Sequence, residues 1–337
     1  MTGLKAPSGS ATAEHADVDG GPRRSGALAK LKDVGFWAEW AALAGLVVLV
    51  VVFQASNSTF LSSGNIEAML TSSAILIVLG VGQTFVISTG GIDLSVASVM
   101  TFAAVVFGLV YKQNSNLILA CIAALLAGLV FGAINGVLVA RGKITDFIAT
   151  LGTLSAASGV ALIMSNGKPT TVINSTLLTL SSGGVGLFGW SFIIAAVIAV
   201  IAHVVYFRTR FGTHVLATGG SAEAAAAAGV RTDRIKLGVY TIAGLLAGVA
   251  AILLVSRVGA AEPAANTAYL LNSVAAVVLG GVSLVGGRGS IFGPVVGGLL
   301  LTALTNGLTL LGVSQFYQPL SVGIVVVLAA LLSRFQK

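Results

Sequence analysis

The sequence predicts an all-α integral membrane protein, and three observations support this fold class. Hydrophobic residues make up 56% of the 337 residues and charged residues only 9%, whereas a soluble domain carries roughly a quarter charged residues. The mean hydropathy is +1.01. The apolar residues also gather into runs of roughly 20, the length at which a helix crosses about 30 Å of hydrocarbon. Together these observations predict a chain that crosses a membrane repeatedly as helices.

Ten apolar segments are predicted to be membrane-spanning helices, although the fifth and the tenth are short. In chain order, their expected bounds are residues 36–54, 66–88, 94–111, 117–140, 147–164, 190–207, 237–258, 269–285, 291–312 and 319–332. Several spans contain two glycines on one helix face, which lets a neighbouring backbone approach closely. These pairs are Gly128 with Gly132, Gly244 with Gly248, and Gly293 with Gly297. We interpret them as a sign of tight packing in a helical bundle rather than of a specific dimer motif.

The charges around the spans predict their orientation. Residues 1–33 are rich in Gly, Ala, Ser and charge and are expected to form a disordered cytoplasmic tail, followed by one transmembrane domain over 34–337. The first apolar run is longer than the core of a cleaved signal peptide, so we expect it to be retained. With the N-terminus in the cytoplasm, 15 of the 18 Lys and Arg lie inside, and only Lys112, Lys168 and Arg257 lie outside. The positive-inside rule then favours cytoplasmic N- and C-termini.

Residues 207–236 form a long, basic polar interval between the sixth and seventh spans. Within it, Ser221 can accept a hydrogen bond from a free N–H at a helix start, and Glu223 suits the positive end of the helix dipole. Gly229 can close the helix in the left-handed conformation. The predicted helix, residues 222–228, is only about 10 Å long and is marginal alone in water. It therefore needs a surface on which to dock.

The sequence offers no residues for catalysis or for a bound cofactor. It contains no P-loop, no H-E-x-x-H, no G-x-S-x-G and no carboxylate pair suited to acid–base chemistry. The net charge of +7 does not indicate nucleic-acid binding, because the cations are dispersed in short loops. The single Cys121 excludes an intramolecular disulfide, and three histidines without a Cys/His cluster argue against a structural metal site. We expect no catalytic residue, metal or cofactor.

Polar groups at membrane depth are the best candidates for a translocation path, because charge there is costly. Asp93, in STGGIDLSVAS, follows a Gly-Gly pair that breaks the second span. It either faces a water-filled path beside a discontinuous helix or caps the third span at the cytoplasmic surface. Amides inside spans either bridge helices, the more common role, or line such a path. The candidate path residues are Gln83, Asp93, Ser95, Asn135, Asn272 and Asn306. A route lined by amides and hydroxyls suits a neutral polyhydroxylated solute better than an ion.

Four motifs, taken in order, resemble the permeases of sugar ATP-binding-cassette importers of the ribose/xylose/arabinose type. They are GQTFVISTGGIDLSVASVM, NGVLVARGKITDFIATLGTLSAASG, RFGTHVLATGGSAEAAAAAGV and AAVVLGGVSLVGGRGSIFGPVVG. The resemblance, over residues 36–332, implies a permease of the bacterial inner membrane that pairs as a homodimer or heterodimer. It implies an ATPase subunit on the cytoplasmic side and a sugar-binding protein outside. The family places its ATPase-contacting helix between spans six and seven, which corresponds here to Gly212, Gly219, Gly220, Glu223, Ala224, Ala225 and Gly229.

The sequence departs from this family at positions that bear on the substrate. Ala97 stands where the family usually has Gly, Thr145-Asp146 where it often has two prolines, and Leu270 and Asn272 where Glu and Asp are common. A pentose, a hexose, inositol, another polyol and an autoinducer sugar all stay open as substrates.

A self-sufficient secondary transporter or channel for a small neutral solute is the alternative function. It needs a coupling-ion or proton site, for which Asp93 and His203 are the only candidates, on different spans.

Overall fold

The computed structural model describes residues 34–264 and 267–333, so the predicted tail and the extreme C-terminus lie outside the described residues. The helices are α1 Val34–Ser56, α2 Ser63–Ser88, α3 Val96–Asn114, α4 Leu117–Ala140, α5 Asp146–Ser165, α6 Ser175–Ser182, α7 Trp190–Arg208, α8 Arg210–Gly220, α9 Ala222–Ala227, α10 Thr232–Val258, α11 Thr267–Leu279, α12 Phe292–Leu310 and α13 Gln318–Ser333, with a 3₁₀ turn at Gln315–Tyr317. The short strands are β1 Thr170–Thr171, β2 Gly184–Val185, β3 Phe188–Gly189 and β4 Ala260–Ala261.

The helices match the predicted spans to within a few residues, except that α11 ends at Leu279, six residues before the expected end of the eighth span, just before Gly281 takes a φ of +79°. Within the described residues, seven helices are long and apolar enough to cross a membrane, namely α2, α3, α4, α5, α7, α10 and α12. Shorter apolar helices at Ala42–Ser56, Thr267–Leu279 and Gln315–Leu328 occupy the first, eighth and tenth predicted spans. The all-α membrane class is therefore confirmed, and ten as the number of crossings stays a prediction.

Helix α2 forms the centre of the bundle. Every residue from Ser73 to Ser88 is buried, and α2 packs against α7, α10, α11 and α12. A helix that is apolar on all sides is expected to be buried. By contrast, α4, α5 and α7 expose large apolar side chains such as Ile118, Ile163 and Val200. Such an outer surface is suited to lipid, which is as apolar as these side chains.

The glycine pairs bring helices into backbone contact, as the sequence predicts. Helices α4 and α10 share the most extensive contact in the described bundle. A Cβ atom added to Gly132 would lie 2.9 Å from the Gly244 Cα atom, and one added to Gly248 would lie 2.8 Å from the Ala124 carbonyl oxygen. In the same way, a Cβ atom on Gly297 of α12 would meet the backbone of Ala276 in α11. Each pair therefore supports close packing inside this chain.

The loops between helices gather at two ends of the bundle. At one end, Gly287 N–H donates to the Ser88 carbonyl at 3.0 Å, and a cleft is shared by residues 139–146 with residues of 222–236. At the other end, β1 pairs with β4, and Asn57 Nδ2 donates to the Leu310 carbonyl at 3.1 Å. The first end, called the basic end below, carries the described Lys and Arg other than Lys112, Lys168 and Arg257.

Candidate functional site

The loop that connects α2 to α3 is buried and built around Asp93. Gly90, with φ +77°, turns the chain after α2, and Asp93 is only 2% exposed. Its Oδ1 atom accepts from the Ser95 amide at 2.8 Å and from the Ser95 hydroxyl at 2.6 Å. Gln83 Nε2 donates to the Asp93 carbonyl at 2.6 Å. Burial raises the pKa of the Asp93 carboxyl, and the bonds from Ser95 offset part of that rise.

These bonds continue across two further helices. Asn135 Nδ2 on α4 donates to Ser95 Oγ at 2.7 Å, and Thr153 Oγ1 on α5 donates to Asn135 Oδ1 at 2.6 Å. All of these side chains are buried, and buried polar groups must find partners within the protein. We call this set, Gln83, Asp93, Ser95, Asn135 and Thr153, the Asp93 network. It joins α2, α3, α4 and α5 through four of the six predicted path residues.

Ser95, not Asp93, holds the N-cap position of α3, and no side chain caps the first amides of that helix. Asp93 instead accepts from the Ser95 amide, two residues along the chain. The carboxylate is enclosed by the four helices in this conformation. Contact between Asp93 and a solute stays a prediction, and it requires the network to open.

The other two predicted path residues lie outside the network. Asn306 on α12 exchanges two hydrogen bonds with Asn65 on α2, at 2.9 and 3.0 Å, so it bridges two helices. Asn272 is half-buried on α11. His203 lies exposed on α7 with its ring centroid 4.8 Å from that of Phe207. No hydrogen bond or ion pair within the described ranges joins His203 to Asp93, so the structure does not assemble the two candidates for an ion site.

Sequence reasoning missed several partners of this loop. Thr150 Oγ1 donates to the Ile92 carbonyl at 3.3 Å, and the Tyr240 hydroxyl donates to the same oxygen at 3.4 Å. Thr150 and Thr153 are one helical turn apart, so they share a face of α5. That spacing could have marked a polar face, but only the folded chain shows which groups it meets.

The interval between α7 and α10 contains two helices, of which the sequence predicts only the second. Helix α9 begins at Ser221, whose Oγ accepts from the Ala224 amide at 3.1 Å. It closes near Gly229, which has φ +86°. Both capping predictions are confirmed. Helix α8 was not predicted; Thr209 caps it by accepting from the Gly212 amide at 3.4 Å, and it places Val215 and Thr218 in the interior.

The predicted coupling residues divide into two groups by direction. The exposed group is Gly220, Glu223, Ala224 and Gly229. The inward-facing group is Gly212, Gly219 and Ala225. Gly212 lies against the Tyr206 carbonyl, and Gly219 lies against the Ser88 carbonyl. Helix α9 thus presents one face to the surroundings while α8 anchors it to the bundle.

Comparison with known proteins decides the family. The family model described as "Branched-chain amino acid transport system / permease component" matches residues 65–331. The chain belongs to this permease family. The permease is therefore a multi-pass membrane subunit of a transport system, and a component of that kind implies partner subunits.

The permease is similar over most of its length to permeases with named substrates. It is 36% identical to the ribose import permease RbsC of Escherichia coli K12 over 304 residues, which cover 87% of this chain and 92% of RbsC. It is 39% identical to RbsC of Bacillus subtilis 168 over 298 residues, covering 86% and 91%. It is 35% identical to the L-arabinose ABC transporter permease AraH of Azospirillum brasilense over 298 residues, covering 87% of each. No solved structure matches the permease.

Proposed function

We propose that the permease is the transmembrane subunit of an ATP-binding-cassette importer for a sugar or a sugar-like polyol. A separate ATPase subunit supplies the energy. The observation that carries the proposal is the nearly complete match to relatives named for ribose and L-arabinose transport. The family description names branched-chain amino acids. Five of the six candidate path residues are uncharged, however, and uncharged polar groups suit a neutral polyol better than a zwitterion.

The basic end faces the cytoplasm in this proposal, because positive charge collects on the cytoplasmic side of bacterial membrane proteins. The N- and C-termini then lie in the cytoplasm as well. The opposite end, with the segment 166–189, faces the sugar-binding protein. Two permease chains, identical or paired with a related one, enclose the path.

Helix α9 is the docking element for the ATPase. It is short, it is capped at both ends, and it exposes Glu223 and Ala224 at the basic end. A helix of this length is stable only when packed. Here, α8 packs against it, and Ala225 is the residue of α9 that is buried. The exposed side is then free to enter a groove on the ATPase.

The six candidate path residues keep their role in the proposal, with the Asp93 network at the cytoplasmic end of the path. Within the described part of the chain, the Gln83 Oε1 atom is buried and has no hydrogen-bond partner. An unpaired buried acceptor is costly. A solute hydroxyl that donated to this oxygen would remove that cost, so opening of the network beside Gln83 would favour a polyol.

The test is reconstitution of the permease in liposomes with a candidate ATPase subunit and a candidate sugar-binding protein. Uptake of radiolabelled D-ribose, L-arabinose and myo-inositol is measured with and without enclosed ATP. We expect uptake of at least one of these sugars to need ATP and both partners. Uptake by the permease alone, driven by an ion gradient, would establish the secondary transporter instead.

A charge reversal tests the docking element separately. Glu223→Arg is expected to lower ATP-driven uptake about tenfold or more, because a reversed charge at an interface is strongly unfavourable. Glu223→Gln is the matched control and should retain most of the uptake. Normal uptake by Glu223→Arg, at normal membrane levels, would refute the assignment of α9.

A further inference from the structure

Three separate segments of the chain meet at the basic end through their backbones. They are the end of α2, the irregular segment 280–291 between α11 and α12, and the end of α8. We call Ser88, Gly90, Gly219, Gly286 and Gly287 the glycine junction. In the chain, Gly219 lies just before helix α9, and Ser88 and Gly90 lie just before Asp93.

No side chain separates the three backbones at the junction. Gly287 N–H donates to the Ser88 carbonyl at 3.0 Å. A Cβ atom on Gly219 would overlap that same carbonyl and lie 2.5 Å from the Gly287 nitrogen. A Cβ atom on Gly286 would lie 2.7 Å from the Gly90 nitrogen and 2.9 Å from the Gly219 oxygen. Contacts packed this closely have little free volume to absorb a displacement.

The backbone conformation at positions 286 and 287 also requires glycine. Their φ values are +91° and +73°, in the region that L side chains rarely adopt. Glycine is thus needed here for two independent reasons, the turn itself and the approach of the neighbouring chain.

A second layer holds the start of α8 to the same helix. The Ser88 and Tyr206 hydroxyl groups share a hydrogen bond of 2.6 Å. The Phe85 ring packs edge-on against Tyr206, with centroids 5.6 Å apart, and lies 6.3 Å from Phe211 of α8. Helix α8 is therefore fastened to α2 near both of its ends, by Phe211 at its start and Gly219 at its finish.

The junction is close in sequence to the two elements that the proposed function assigns. Only Gly220 and Ser221 separate Gly219 from the start of α9. On the other side, the loop after Ser88 leads within five residues to Asp93. Any shift of α8 must therefore move the end of α2, the 280–291 segment, or both.

We propose that the glycine junction transmits the movement of α9 to the Asp93 network and to segment 280–291, with Gly219 as the central positioning residue. This inference rests on the proposed function, since it takes the ATPase as the source of the movement. Gly219 touches neither the ATPase nor the solute in this scheme. It acts by keeping α8 in direct contact with the backbones of Ser88 and Gly287.

The experiment follows segment 280–291 by electron paramagnetic resonance in the complex of the permease with its ATPase. Cys121→Ser removes the native thiol, and Val285→Cys, at a side chain 79% exposed, provides one site for a nitroxide label. Spectra are recorded without nucleotide and with MgATP plus vanadate, so that no sugar needs to be known. We expect ATP to change the mobility of the label in this parent protein.

Gly219→Ala is expected to reduce that spectral change about fivefold or more, because an added methyl in a close contact forces the backbones apart. ATPase binding, measured by co-purification, should persist. Ala217→Ser is the matched control, since it adds one atom to the exposed side of the same helix, and it should respond like the parent. If the Gly219→Ala protein does not accumulate in the membrane, Tyr206→Phe is tested in its place. This variant is expected to lose about half of the spectral change, because it lacks the hydrogen bond to Ser88.

The outcomes separate the two proposals. A parent complex that binds the ATPase and responds to ATP, together with a full response in Gly219→Ala, would overturn the junction alone. Where Tyr206→Phe replaces Gly219→Ala, a full response in Tyr206→Phe would also overturn the junction alone. A parent permease that binds no ATPase would overturn the proposed function, and this inference with it.

Discussion

The Ser88 and Tyr206 side chains meet through hydroxyl groups 2.6 Å apart, while the Ser88 carbonyl accepts from Gly287. One serine at the end of the central helix thus contacts α7 with its side chain and segment 280–291 with its backbone. Both hydroxyl-bearing residues are fully buried. The pair is a clear case in which a small polar residue joins three parts of a membrane bundle.

We expect this pair to contribute measurably to stability. Ser88→Ala and Tyr206→Phe should each lower the free energy of unfolding by about 1 kcal/mol, since a buried hydrogen bond is lost in each. The double variant should cost clearly less than the sum of the two, because both remove the same bond. Thermal unfolding of the four proteins in detergent measures this cycle. Strictly additive effects would show that the hydroxyl groups do not interact.

Glycine in the α4–α10 contact should be far more sensitive than glycine on an outer helix face. A Cβ atom at Gly132 would lie 2.9 Å from Gly244 Cα, whereas one at Gly152 of α5 meets nothing within 4 Å. Gly132→Ala should therefore destabilise the fold by about 1–3 kcal/mol. Gly152→Ala should be neutral or stabilising, because Ala favours helix over Gly by about 1 kcal/mol. Melting temperatures in one detergent compare the two, and equal losses would contradict the close contact.

Asp93→Asn should change how stability depends on pH. Because burial raises the pKa of the folded-state carboxyl, the folded protein holds this proton more tightly than the unfolded chain does. The stabilisation of the folded protein by this bound proton is therefore fully present below the pKa of Asp93 in the unfolded chain. It is lost as the pH rises through the pKa of Asp93 in the folded protein. Asparagine keeps an oxygen that can accept from Ser95 and does not titrate. The stability of Asp93→Asn relative to the parent should thus rise as the pH increases above about 4, the ordinary pKa of an Asp carboxyl.

Unfolding of both proteins over this pH range makes the comparison. A stability difference that stays constant, or that falls with pH, would contradict a raised pKa for Asp93. Asp93→Leu should be worse than Asp93→Asn at every pH, because it leaves the Ser95 amide and hydroxyl without their acceptor.

Two buried threonines should respond oppositely to the same substitution. The Thr218 hydroxyl is buried without a hydrogen-bond partner among the residues described, whereas Thr153 donates to Asn135 at 2.6 Å. Thr218→Val should be neutral or stabilising, because it removes an unpaired polar group. Thr153→Val should cost about 1–3 kcal/mol, because it leaves the Asn135 oxygen unsatisfied. Melting temperatures again decide, and a large loss in Thr218→Val would reveal a partner for this hydroxyl in another state.

The end of α9 depends on a backbone conformation that proline cannot adopt. Gly229 has φ +86°, and the proline ring fixes φ near −65°. Gly229→Pro should abolish transport without blocking membrane insertion, whereas Gly229→Asn should retain it, because Asn tolerates the left-handed region. Uptake is compared at equal membrane levels. Equal uptake by the two variants would show that this turn does not matter for coupling.

The sequence was informative wherever one local signal dominated the structure. Apolar runs located the helices at the predicted spans, and the cap at Ser221 and the turn at Gly229 located α9. Glycine spacing also indicated backbone contacts between helices. These features depend on residues close together in the chain, so they can be predicted without knowing the tertiary contacts.

Tertiary pairing explains what the sequence left open. Helix α8 was missed because it ends in Gly219-Gly220 and is polar on one side, and its stability comes from docking of its apolar face. Asn306 is a candidate for the path, and only the folded chain shows that its amide pairs with Asn65, 241 positions away. Similarly, Thr153 belongs to the Asp93 network only through its hydrogen bond to Asn135 on another helix. Such partners are set by the packed bundle and not by local pattern.

The buried position of α2 has a consequence for how the chain is made. Its neighbours α10 and α12 are synthesised long after it, with α12 ending at Leu310. At roughly 5–20 residues per second, a ribosome needs about 10–45 seconds to travel from Ser88 to that point. During this interval, Ser88 must wait in the bilayer or its insertion machinery for its partners Tyr206 and Gly287 to be made. The core helix of the bundle is thus among the first to be inserted and the last to be enclosed.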